Sequence, residues 1–98
     1  MKLGFIGTGQ IAKATILGIL GSNLKINKIY ISKRNKKIST QLSKKSKKII
    51  VLKDNQEIIN NSKWIFLSIT PEVGSKILKN LKFDLKKAPF EGLFFYLY

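Results

Sequence analysis

KLGFIGTGQIA, residues Lys2 to Ala12, is a short apolar run that ends in Gly7-Thr8-Gly9-Gln10-Ile11-Ala12 and passes directly into the helical pattern of Lys13 to Leu20. A strand, a glycine-rich turn and a helix in that order are the sequence form of a dinucleotide-binding turn. Each small residue has its own duty: Gly7 makes the tight turn out of the strand, Gly9 lets backbone approach a pyrophosphate, and Ala12 permits close helix-to-strand packing. The helix that follows aims its free N–H groups and positive dipole end at the phosphates.

Outward from this turn the chain alternates. Lys2 to Ile6 reads as the first strand, and the next helix carries Ile11, Ala14, Thr15, Leu17, Gly18 and Leu20 as a face wide enough to cover a sheet, stopped by Gly21-Ser22-Asn23. Lys28 to Ser32 is short and β-branched, a second strand ending in the polar loop Ser32-Lys33-Arg34-Asn35. Lys36 to Ser46 is polar with Ile38 and Leu42 four apart, a surface helix with one narrow apolar stripe. The lysine run that closes it, Lys44 to Lys48, complements the helix dipole and reads as a solvated helix end.

Ile49 to Leu52 forms a third strand, and Asp54 or Asn55 caps a short helix through Asn60. Trp64 to Ile69 is almost wholly apolar, as a parallel strand covered on both faces should be, and Thr70-Pro71 ends it. Glu72 to Lys82 then spaces Val73, Ile77, Leu78 and Leu81 as a helix. The expected fold is α/β: a partial Rossmann fold of about four parallel strands alternating with helices, joined by right-handed crossovers.

Composition sets the bounds. A chain of 98 residues makes one domain at most, and two-halved nucleotide folds are usually larger. Cys and His are both absent, which removes disulfides, thiolate metal sites and the usual zinc and acid–base chemistries, so no metal site and no catalytic residue is assigned. No apolar run reaches the ~18 residues of a membrane span. A reducing, cytoplasmic setting is the expectation. Gly7 to Gln10 interrupt the apolar start where a secretory signal would be continuous.

The net charge of +14 draws attention to nucleic acid, but the lysines are scattered from Lys2 to Lys87 and Arg34 is the sole arginine, although base and phosphate recognition favours arginine. Abundant Lys, Ile and Asn fit a compositional bias, and no specific nucleic-acid partner or membrane is expected.

Several landmarks besides the glycines narrow the family. GFIGTGQIA at Gly4 to Ala12, SKRN at Ser32 to Asn35, DNQEIINNSKWIFLSITPE at Asp54 to Glu72, and the helix EVGSKILKNLK at Glu72 to Lys82 are together similar to the N-terminal domain of pyrroline-5-carboxylate reductases. These enzymes more distantly resemble the 6-phosphogluconate and β-hydroxyacid dehydrogenases. The similarity runs from Met1 to about Lys87, so residues 1–87 read as a Rossmann-type dinucleotide-binding domain.

The resemblance implies NAD(P)H-dependent reduction of 1-pyrroline-5-carboxylate to L-proline, a hydride transfer to a C=N bond. It places Gly7, Gly9 and Ala12 in the pyrophosphate turn, with amides from Thr8 through Gln10 to Ile11 contacting the phosphates. It places Asn55 at the adenine-side ribose, and Ser68-Ile69-Thr70-Pro71 beside the nicotinamide half. Ile11 stands where the family commonly has Met, a volume-conserving swap, and Thr70 where a lysine often precedes the proline.

Cofactor preference follows from charge. An NAD-selective site places Asp or Glu at the end of the second strand, whereas Ser32, Lys33, Arg34 and Asn35 offer a hydroxyl, two cations and an amide, which suits the 2′-phosphate of NADPH over NADH. In a chain this rich in lysine, Lys33 and Arg34 as a merely solvated loop remain the alternative.

The family's later strands and its C-terminal helical domain, which forms the dimer and much of the substrate pocket, find no counterpart after Lys87. Residues 88–98 instead read as an aromatic tail, Ala88-Pro89-Phe90-Glu91-Gly92 followed by the uncharged run LFFYLY, a substitute edge strand or a sticky end. The expectation is therefore a truncated reductase, inactive alone, with a missing helical domain or self-association through the open sheet edge as its partner. The other readings are a stand-alone nucleotide-binding module and a fragment of another reductase of the same superfamily.

Overall fold

The computed structural model describes residues 1–7, 9–33, 36–68 and 92–96, with Ser68 and the last five described through their backbone. Five strands form one parallel sheet: β1 (Lys2–Ile6), β2 (Lys28–Ser32), β3 (Ile49–Leu52), β4 (Trp64–Ser68) and β5 (Gly92–Tyr96), in the spatial order β3-β2-β1-β4-β5. Three helices connect the first four: α1 (Gln10–Leu20), α2 (Lys36–Lys45) and α3 (Asn55–Asn61). This is a Rossmann-like α/β fold. The helix expected over Glu72 to Lys82 lies outside the described residues.

Alternation along each strand divides the core in two. Leu3 and Phe5, Ile29 and Ile31, and Ile49 face α1 and α2, meeting Ala12, Ile16, Ile38 and Leu42. Ile6, Tyr30, Ile65 and Leu67 face α3 and meet Ile58 and Ile59. Across β1 and β4 the register partners Phe5 and Phe66 stack at 4.7 Å between ring centroids, 8° from parallel.

The face expected of α1 is corrected. The helix buries Ala12 and Ile16 and packs Ile19 and Leu20 against the core, while Ile11, Ala14, Leu17 and Gly18 are exposed. Residues 12, 16, 19 and 20 follow the i, i+4, i+7, i+8 spacing of a single stripe. Because α1 is apolar nearly all round, its hydrophobic pattern fits two faces equally, and tertiary packing decides between them. In polar α2 no such choice exists, and the stripe of Ile38 and Leu42 is buried as expected, joined by Ser39.

Local chemistry fixes the ends of the elements. Gly21 stops α1, its N–H donating to the Leu17 carbonyl at 3.1 Å. Asp54 caps α3, its Oδ1 accepting from the Glu57 N–H at 2.9 Å, while the Glu57 carboxylate accepts from the Lys53 N–H at 3.3 Å. The first bond is an N-cap, while the second reaches one residue past the cap amide that a capping box would use. The aromatic tail adds β5 beside β4 in parallel register, Trp64 opposite Gly92 through Ser68 opposite Tyr96, and so carries out the edge-strand reading. Among the described residues no helix is long and apolar enough to cross a membrane.

One buried group works against stability. Ser62, fully buried between α3 and β4, has a hydroxyl with no hydrogen-bond partner among the described residues. A buried hydroxyl left unpaired costs about 1–3 kcal/mol. Ser62→Ala is therefore expected to raise the melting temperature, read by thermal circular dichroism; a fall would show that the hydroxyl is satisfied.

Candidate functional site at the carboxyl edge of the sheet

In open parallel sheets, ligands bind beyond the carboxyl ends of the strands, where successive crossovers diverge to opposite faces. Here α1 and α2 pack on one face and α3 on the other, so the divergence falls between β1 and β4. Gly7 follows β1 at that point, and Ser68 ends β4 beside it.

Gly7 has φ 88°, in the left-handed region, and is the one described residue with positive φ. A side chain there would be strained, whereas glycine makes the turn without penalty. Gly9 is the N-cap of α1 in an extended conformation and offers no side-chain cap, and its carbonyl accepts from the Lys13 N–H at 3.0 Å. The amides of Gln10, Ile11 and Ala12 form the first turn, whose N–H groups have no partner within the helix, and no acidic side chain occupies it. Ala12 is 1% exposed, so the helix start lies tight against the sheet. These features fit a pyrophosphate: room at two glycines, free donors, and the positive end of an eleven-residue helix.

Beside the ends of β2 and β3 lies a cleft of about 400 Å³ lined by Ser32, Lys33, Lys53, Asp54 and Asn55. The structure thus brings Ser32 and Lys33, at the end of β2, together with Asn55 at the start of α3. Ser32 is held in place from below, because the buried Ser39 hydroxyl of α2 donates to its carbonyl at 2.7 Å. Thr8, Arg34, Asn35, Ile69, Thr70 and Pro71 lie outside the described residues.

Two residues of the cleft, Lys53 and Asp54, are additions to the expected set. Asp54 is expected only as a cap and Lys53 not at all. Their signal is position: both directly follow β3, at the carboxyl edge where ligands gather. Lys53 adds a second cation opposite Lys33. The Asp54 carboxylate brings negative charge, part of it engaged by the Glu57 N–H. Among the described residues no group of three or more Asp and Glu side chains could hold a metal ion.

A glycine turn at the divergence point of a parallel sheet defines a dinucleotide-binding α/β domain. The family model described as NADP oxidoreductase, coenzyme F420-dependent, matches residues 2–89, and the chain belongs to that family. It is also 30% identical over 88 residues, 89% of its length, to pyrroline-5-carboxylate reductase 3 of Danio rerio, of which it covers 30%. Together the two matches support the relationship to the N-terminal domain of pyrroline-5-carboxylate reductases read from the motifs. No solved structure matches the chain.

Proposed function

We propose that this chain is the NADPH-holding domain of a pyrroline-5-carboxylate reductase, the enzyme that makes L-proline from 1-pyrroline-5-carboxylate. The observation that carries the reading is the left-handed Gly7 turn leading into the Gly9-capped start of α1 at the divergence of the sheet. When bound, the nicotinamide supplies the hydride. The residues of this chain grip and orient the cofactor: Gly7, Thr8, Gly9, Gln10, Ile11 and Ala12 at the pyrophosphate, Asn55 at the adenine-side ribose, and Ser68, Ile69, Thr70 and Pro71 along the nicotinamide half.

Ser32, Lys33, Arg34 and Asn35 select NADPH over NADH through the 2′-phosphate, with Lys53 across the cleft as a further cation. Turnover needs the substrate held within near-attack distance of the nicotinamide. With the chain spanning 30% of its relative's length, we assign that holding to parts outside this chain, which alone binds cofactor without turnover.

A fluorescence titration with NADPH and with NADH, followed by an assay for proline on the same sample, tests both statements. Binding of NADPH without proline formation is expected; no binding removes the cofactor reading, and turnover removes the inactivity. Arg34→Ala is expected to abolish most of the preference for NADPH while sparing NADH. Equal affinities for the two cofactors in the native chain would refute the selectivity argument.

A further inference from the structure

The opposite edge of the sheet carries an unexpected row of charge. Lys2 and Lys28 are register partners at the starts of β1 and β2. Ile29 pairs with Ile49, and Leu3 with Trp64, which brings Lys48 level with Lys28 and Lys63 level with Lys2. Ladder bonds continue at this level: the Ile29 N–H donates to the Lys48 carbonyl at 2.8 Å, and the Lys63 N–H to the Lys2 carbonyl at 2.9 Å. Four lysines dispersed through the sequence thus stand side by side at the starts of four adjacent strands, in the order Lys48-Lys28-Lys2-Lys63, over roughly 14 Å at the usual strand spacing.

Lys2 and Lys28 point to one face: Leu3 and Ile29 point into the core beneath α1 and α2, so the strand residues before them point to the α3 side, with Lys48 and Lys63 flanking them just before β3 and β4. Lys2, Lys28 and Lys48 are exposed and Lys63 is half-buried. The two described acids, Asp54 and Glu57, lie at the start of α3, at the other end of the sheet. Like charges directly opposite one another on neighbouring strands are destabilising. The carboxyl ends of the helices point to this edge and offset part of that cost.

We propose that this lysine row is a binding site for a linear chain of phosphates, of the inorganic polyphosphate type, separate from the cofactor cleft. A row of evenly spaced point charges matches a ligand with evenly repeated charge. Lysine, unlike arginine, makes no bidentate demand on the orientation of each phosphate. A single-stranded nucleic acid would also require aromatic platforms for its bases. The aromatic on this face, Tyr30, is buried against α3 and offers no open ring, and Trp64 and Phe66 pack on the other face.

The test compares two triple variants that lower the formal charge of +14 equally, by three. Lys2→Gln/Lys28→Gln/Lys48→Gln empties most of the row, whereas Lys13→Gln/Lys36→Gln/Lys37→Gln removes helix lysines and leaves the row intact. Binding of long-chain polyphosphate is measured over a range of salt, with orthophosphate and an oligothymidylate of matched phosphate number alongside. The row variant is expected to lose at least about tenfold in affinity and to flatten the slope of log K against log salt by about 2. Its melting temperature should hold or rise, since it loses in-register repulsion. The helix variant should lose less than about threefold. Equal losses in the two variants, or no binding by the native chain, overturn the proposal; tighter binding of oligothymidylate overturns the choice of ligand.

Discussion

Gly4→Ala is expected to lower the melting temperature by on the order of 10–20 °C, an effect of about 3 kcal/mol for a domain of this size. Gly4 sits in the middle of β1 on the face covered by α3. A Cβ built there would lie 2.2 Å from Ser62 Oγ, 2.6 Å from Ile58 Cγ2 and 2.9 Å from Ser62 Cβ. Ile58 and Ser62 are both fully buried, so neither side chain can swing into solvent to make room. Either α3 must lift from the sheet or β1 must shift, and β1 bonds to β2 on one side and β4 on the other. Combining the change with Ser62→Ala should recover only part of the loss, because the Ile58 methyl stays in place. A melting temperature within a few degrees of the native value would show that α3 yields easily.

Gly7→Ala should have the opposite balance, with a smaller loss of stability and at least about a tenfold loss of NADPH affinity. At φ 88° an L side chain is strained by about 1–2 kcal/mol. The chain can relieve the strain only by turning differently between β1 and α1, and that reorients the amides of the first helical turn. Gly7→Asn, which tolerates the left-handed region better, should fall between alanine and the native residue in both readouts. Unchanged NADPH affinity in Gly7→Ala would detach the turn from cofactor binding.

The strands were legible because each is a short apolar or β-branched run between polar breaks. Lys2–Ile6, Lys28–Ser32 and Ile49–Leu52 follow their expected limits, and the fourth follows its own from Trp64 to Ser68, with Ile69 outside the described residues. The buried face of α1 was not legible, because a helix whose few polar residues, Gln10, Lys13 and Thr15, leave most of its circumference apolar has no clear polar side to exclude. Nor was the duty of Gly4. Its neighbours in space, Ile58 and Ser62, are more than fifty residues away, and only the crossing of α3 over β1 brings them together. At the candidate site the glycine turn is local and announces itself in sequence. The cleft of Ser32, Lys33, Lys53, Asp54 and Asn55 is built from two strand ends, and only their adjacency in the sheet reveals Lys53.

Trp64 is the sole tryptophan of the chain and opens β4, the strand whose other end borders the proposed nicotinamide site. Four residue steps of extended chain carry it to Ser68, a span of roughly 13 Å. That is within energy-transfer reach of a reduced nicotinamide, which absorbs where indole emits, while an oxidised nicotinamide does not. If the proposed cofactor binds there, the chain carries its own optical gauge: tryptophan emission should dim as a reduced nicotinamide cofactor binds and recover as the bound cofactor is oxidised.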